Sequence, residues 1–274
     1  MDDFNNLMPQ MHFEQIPLKN LTAEQDYQRK ISVAHVKKAV ENFNPYQVNP
    51  VKVSRRDGIN YVVNGQHTIE ILATIFGTRE FPVWCMIFDD LDYTKEADIF
   101  ANQQKYVKSL TPYEIFMANI EAGNDEQIMI KDIVEKYNLK LSDKKAPGCI
   151  CAISTVEDIF NKYGYHTLDD TIRWCVATWE GEQNSFSSNM LRGLARLIAT
   201  YGNEINENLF KERLGRYSVK TISRNAADRH AGSLGYAEAM LLIYNGKMKT
   251  QLDLYRLSHK LSITPYNSPQ NSFN

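Results

Sequence analysis

Several things this chain has little of narrow its class. Its 274 residues carry only four cysteines, Cys85, Cys149, Cys151 and Cys175. That number and scatter exclude a disulfide scaffold and fit a reduced cytoplasm. There is no excess of positive charge: the formal net charge is −2, so the chain as a whole carries no basic signal for nucleic acid. Long hydrophobic runs are missing too. The longest, Phe81 to Phe88, falls far below the roughly 20 residues of a membrane-spanning helix. The opening Met1-Asp2-Asp3-Phe4 lacks the basic-then-apolar order of a secretory signal. No internal repeat is present. What remains is the composition of a globular protein, 43% hydrophobic and 23% charged, long enough for about two domains.

The stretch Tyr61-Val62-Val63-Asn64-Gly65-Gln66-His67-Thr68-Ile69 reads as strand, tight turn and helix. Tyr61 to Val63 are β-formers, and Asn64-Gly65 is a turn pair. Ile69, Leu72, Ala73 and Phe76 recur at helical spacing until Gly77. Gln66, His67 and Thr68 therefore stand at a helix N-terminus. Free backbone N–H groups and the positive end of the dipole suit such a place to a phosphate. It also reads as a plain strand-to-helix corner with a polar first turn.

Around this corner the pattern predicts strands near 13–19, 50–54, 60–63 and 81–88. The first is an edge strand because of Pro17, and the last is a buried strand. Arg55-Arg56-Asp57-Gly58 carries a hairpin signal. Helices are expected over Val33–Phe43, capped by Ser32, and over Thr94–Lys105. The apolar face of the first is Val36, Ala39, Val40 and Phe43. From Leu110 no strand is expected. Thr111-Pro112 starts a helix to Ala122, and helices follow over Glu126–Tyr137, Thr155–Tyr163 with Ser154 as cap, and about 167–179, 187–201, 206–214, 218–230, 233–245 and 248–258.

Three stretches together, Pro50-Val51-Lys52-Val53, Asn64-Gly65-Gln66-His67-Thr68 and Ala101-Asn102-Gln103-Gln104-Lys105, resemble the N-terminal domain of the ParB/sulfiredoxin superfamily. The closest resemblance is to ParB-like proteins of phages and mobile elements, whose corner often reads Asp-Gly-Gln-His-Arg. The implied fold class is α+β: a small mixed-sheet domain over 13–108, followed by an all-helical domain over 109–260. A flexible lead-in occupies 1–12 and a disordered tail 261–274.

The resemblance implies a nucleoside triphosphate, CTP or ATP, with Mg2+. The expected binding residues are Arg29, Asn64, Gly65, Gln66, His67, Thr68 and Asn102. Two departures stand out. Thr68 replaces an arginine, which removes a bidentate phosphate clamp. Ala101 replaces a glutamate, which removes a hard magnesium ligand. Gln66 is not cysteine, so sulfiredoxin chemistry is not expected. Arg29 is the residue placed to restore the lost charge.

The expected partners are DNA and a second copy of the chain, with no membrane. Phosphate contact falls to Lys140, Lys144 and Lys145 in a basic loop, and to Arg213, Arg216, Lys220 and Arg224 in a locally basic stretch that also holds Lys211, Arg229 and His230. The helices at 126–137 and 155–163 are joined by too long a loop for a helix-turn-helix. Three functions stay open. One is a ParB-like nucleic-acid-associated protein. Another is a superfamily kinase or nuclease using His67, with Glu70 one turn away to orient it. The third is an interaction module with a vestigial corner. Cys149-Ile150-Cys151 lacks the second ligand pair that zinc needs.

Overall fold

The computed structural model describes residues 8–23, 26–103, 105–246 and 248–259. The chain divides into two compact units, Met1–Lys108 and Ser109–Asn274. No described helix is long and apolar enough to cross a membrane. The tail expected over 261–274 lies outside the described residues, as do positions 1–7 of the lead-in.

The first unit is a five-stranded mixed sheet with three helices. In chain order it contains β1 (Met11–Pro17), β2 (Leu21–Thr22), α1 (Val33–Glu41), β3 (Val51–Arg56), β4 (Ile59–Asn64), α2 (Gln66–Phe76), β5 (Pro82–Phe88) and α3 (Tyr93–Asn102). The strand order is β1-β5-β3-β4-β2. β1 is an edge strand, as Pro17 suggests, and it starts at Met11, inside the expected lead-in. β3 and β4 form the hairpin signalled by Asp57-Gly58; both turn residues have positive φ, 51° and 76°, and Arg56 faces Ile59. Val51, Val53, Val62, Val83, Cys85 and Ile87 fill one face of the sheet, against Ile69 and Leu72 of α2.

Two expectations for this unit change. β5 alternates instead of being buried throughout: Val83, Cys85 and Ile87 point inward, while Trp84 remains 56% exposed. It pairs with β3 on one side and edge strand β1 on the other, and of its outward residues Pro82 and Trp84 are exposed while Met86 and Phe88 are half-buried. α1 buries no residue fully; Val36, Ala39, Val40 and Phe43 are half-buried.

The second unit is helical apart from one short ladder. It contains α4 (Pro112–Glu121), α5 (Asp125–Lys136), β6 (Lys140–Leu141), β7 (Cys149–Ile150), α6 (Ile153–Tyr163), α7 (Tyr165–Trp179), α8 (Ser188–Tyr201), α9 (Glu207–Leu214), α10 (Val219–Ala227), α11 (Ser233–Asn245) and α12 (Tyr255–Ser258). Thr111 caps α4 in a reciprocal box with Glu114.

β6 and β7 correct the expectation of no strand after Leu110; they pair parallel across the loop. α6 starts at Ile153 with Ala152 at its N-cap, so Ser154 lies inside the helix. The last helix shrinks to one turn, α12. At the centre of the core, α8 contributes Leu191, Leu194 and Leu197. Its Gly193 lets α11 approach: an added Cβ would lie 2.8 Å from Tyr236 Cβ.

Candidate functional site

The corner takes its shape from Gly65. Its φ is 116°, a region that favours glycine, and an added Cβ would sit 3.2 Å from both Val51 methyls. Val51 is fully buried and cannot easily yield. Gly65 is the N-cap of α2, and no described side chain caps the helix. The first N–H groups, on Gln66, His67 and Thr68, therefore lack intrahelical acceptors.

A loop from β2 to α1 lies over this helix start. Gln28 Nε2 donates to Val62 O of β4 at 2.7 Å. Tyr27 donates its hydroxyl to Glu96 Oε2 at 3.2 Å and packs its ring on Tyr93 and Phe100 of α3, at 5.5 and 5.6 Å. Glu96 is completely buried, and its other oxygen accepts from Arg56 Nε at 2.5 Å. Arg56 in turn lies 4.0 Å over the Tyr61 ring. Burial, and then the Glu96 charge, push the Tyr27 hydroxyl well above its ordinary pKa, so it remains a donor. This buried cluster ties the loop to β3, β4 and α3.

Arg29 follows in the same loop and lines a cleft of about 580 Å³ with Gln28, His35, Asn64, Gly65, Gln66, His67, Thr68, Phe100 and Gln103. The volume falls within the ~300–1,000 Å³ range of small-molecule sites. Among the described residues, no carboxylate lines it. Positive potential comes from Arg29 and from two helix starts, since Ser32 Oγ caps α1 beside the N-terminus of α2. Two acceptors, Gln66 Oε1 and Gln103 Oε1, are buried without a partner among the described residues.

His67 has a defined role in this arrangement. Its Nε2 accepts the Ser32 N–H at 3.1 Å, which joins the start of α1 to the start of α2. The acceptor role of Nε2 leaves the proton of the neutral ring on Nδ1. The His35 ring meets it edge-on at 5.2 Å. Burial, then Arg29, then His35 push the His67 pKa down, so the ring is neutral near pH 7.

Of the expected site residues, the structure brings Arg29 and Asn64–Thr68 together in one cleft. Asn102 is not among the lining residues. Its amide donates to the Asp98 carbonyl at 3.1 Å and carboxylate at 2.9 Å, and the next residue, Gln103, lines the cleft instead. Glu70 does not orient His67, because Arg79 holds its carboxylate at 2.5 Å. The set does not fit a protein-held Mg2+, which wants carboxylate oxygens. No group of three or more His, Cys, Asp or Glu that could hold a metal occurs among the described residues.

The basic residues separate into different roles. Arg213 Nη1 donates to the Tyr244 and Asn245 carbonyls at the end of α11, so it is structural. Arg216 pairs with Glu212 at 2.7 Å, and His230 with Glu238 at 2.7 Å. Lys220 and Arg224 face solvent on α10, opposite buried Val219, Ile222 and Ala226. Lys211 and Arg229 are exposed nearby. Lys140, Lys144 and Lys145 are exposed around the β6–β7 ladder, which stands between α5 and α6. By contrast α9 and α10 are joined by only Gly215 to Ser218. Cys85 and Cys175 are buried, and burial raises the Cys85 thiol to about 11.

Sequence reasoning missed Gln28, Tyr27, His35, Arg56, Glu96, Phe100 and Gln103. Glu96 looks like any solvated helix glutamate; only its partners, 40 and 69 residues away, mark it. The Tyr27-Gln28-Arg29 loop carries an aromatic and an arginine among polar residues, and that was the available signal.

No curated protein matches the chain. Among solved structures, a match is the C-terminally truncated chromosome-partitioning protein ParB from Caulobacter crescentus complexed with CTP-gamma-S. It is 14% identical, with a TM-score of 0.35, and the match covers 84% of this chain and 98% of that one. The model of a family of unknown function, DUF6551, matches residues 22–254, and the protein belongs to that family.

Proposed function

We propose that the Gly65–Thr68 cleft binds a nucleotide through its phosphates, and that the chain is a ParB-like nucleic-acid-associated protein of a phage or mobile element. One observation carries the reading: Arg29, the open start of α2 and two glutamines, whose buried amide oxygens have no partner among the described residues, share a single cleft with no carboxylate among its described lining residues. Arg29 and the N–H groups take the phosphates. Gln66 and Gln103 accept from sugar hydroxyls or the base. Phe100 offers a ring face. Arg29 replaces the guanidinium that Thr68 lacks. Mg2+ enters only on the nucleotide's own oxygens.

The test is titration of the full chain with CTP, ATP, GTP and UTP. The superfamily resemblance implies CTP or ATP, so these two are tried first. Arg29→Ala weakens binding about 10- to 100-fold, the worth of a charge-assisted phosphate contact, while Asn102→Ala stays within about twofold. Absence of binding by all four nucleotides overturns the reading.

The nucleic-acid half of the reading rests on α10, whose outward face carries Lys220 and Arg224 after a four-residue turn from α9. Reversing both charges makes duplex binding less salt-dependent, its log–log slope falling by about one for each phosphate no longer neutralised. Unchanged binding moves DNA contact away from this helix.

A further inference from the structure

We propose that a second cleft, between α6, α8 and the start of α11, binds a phosphate group. It is independent of the N-terminal cleft. Its volume is about 440 Å³, and its polar lining is Lys162, Arg192, Arg196, Asp158, Asn161 and Ser233. Three cations face one carboxylate there, in a chain whose formal net charge is −2. Gathering like charges costs energy unless an anion joins them.

The geometry prepares the cations for such a ligand. Arg192 and Arg196 lie one turn apart on α8, so they share a face. Arg192 Nη2 is tethered by Asp158, and Arg196 Nε donates to the Leu257 carbonyl at 2.8 Å. Each tether restrains a guanidinium, and neither donates another hydrogen bond among the described residues, which leaves N–H donors for a tetrahedral oxyanion. Lys162 lies 4.8 Å over the Tyr163 ring and has no carboxylate partner among the described residues.

Ser233 opens the 13-residue helix α11, whose N-cap, Gly232, offers no side chain. Its first N–H groups add donors to the same cleft. Gly235 keeps that helix start against α10, since an added Cβ would lie 2.6 Å from the Ala226 carbonyl. The exposed Asp158 carboxylate opposes an anion, and the cations outnumber it.

The phosphate could belong to a free small molecule or to a nucleic-acid backbone. Inorganic pyrophosphate and a short DNA duplex, titrated separately at low salt, distinguish these sources. The full chain is used with Arg29→Ala as background, which weakens the N-terminal cleft and is the same in every arm. Lys162→Glu and Arg192→Glu should each weaken the ligand that binds by about tenfold or more, whereas Lys131→Glu on α5 stays within about twofold. Lys162 is exposed, so its variant folds even if Arg192→Glu does not. Pyrophosphate binding abolished in Lys162→Glu assigns a free phosphate ligand; weakening for the duplex alone assigns a backbone phosphate. No binding of either ligand, or binding that both reversals leave unchanged, overturns the proposal. Because Arg29→Ala is common to all arms, failure here leaves the nucleotide reading of the first cleft standing.

Discussion

Replacing Glu96 by glutamine tests whether the buried cluster under the Tyr27–Arg29 loop holds the site together. Glu96 is fully buried and accepts from Arg56 through Nε at 2.5 Å and Nη2 at 3.3 Å, and from the Tyr27 hydroxyl at 3.2 Å. Removing one partner of a buried pair costs about 3–5 kcal/mol, because the other charge is left uncompensated. Arg56 keeps 24% of its side-chain exposure and its stacking on Tyr61, which reduces that cost to about 2–3 kcal/mol. At about 1.4 kcal/mol per tenfold, the amides of β4 and α3 should exchange with solvent about 30- to 150-fold faster. The assay is hydrogen exchange of the full chain, with α8 as internal reference; its protection should not move. Nucleotide affinity should fall as well, although Glu96 does not line the cleft, because Arg29 loses its anchored loop. Tyr27→Phe, which removes one hydrogen bond, should cost only about 1 kcal/mol. Unchanged β4 and α3 protection in Glu96→Gln would refute the reasoning.

Other perturbations separate local roles. Gly65→Ala forces a side chain into positive φ and against Val51, and should cost about 1–3 kcal/mol, read as a lowered thermal midpoint. His67 is depressed in the folded state, so above its unfolded pKa, near 6.5, both states are neutral and nothing is lost. Below that, the unfolded chain takes the proton first, so stability falls as pH drops through the folded pKa. A His67→Asn variant should show a thermal midpoint that falls less as pH drops below about 6.5, the unfolded value. Added anionic ligand should raise the His67 titration midpoint followed by NMR. Arg213→Ala should lower the thermal midpoint by uncapping α11, by about 1–2 kcal/mol, and leave duplex binding unchanged. A DNA defect without a stability loss would return Arg213 to the nucleic-acid surface.

Local chemistry was readable from the chain alone. The Asp57-Gly58 hairpin, the Gly65 corner, the caps at Ser32 and Thr111, and the change from a mixed sheet to helices all follow from residues within about four positions of one another. Such features depend on backbone torsion and nearest-neighbour hydrogen bonds, which a linear pattern records. Arg29 is expected at a corner 36 residues later only through the family resemblance, since no local pattern links the two, and the choice of Gln103 over Asn102 needed the fold, because it depends on where α3 ends and what Asp98 captures. The same holds for Glu96, which the sequence presents as a solvated helix residue and the packing turns into the anchor of the loop. Arg213 and Lys220 look alike in a basic stretch, yet one caps α11 and the other faces water. Burial and charge partners are set by what lies across space, and no local pattern carries that information.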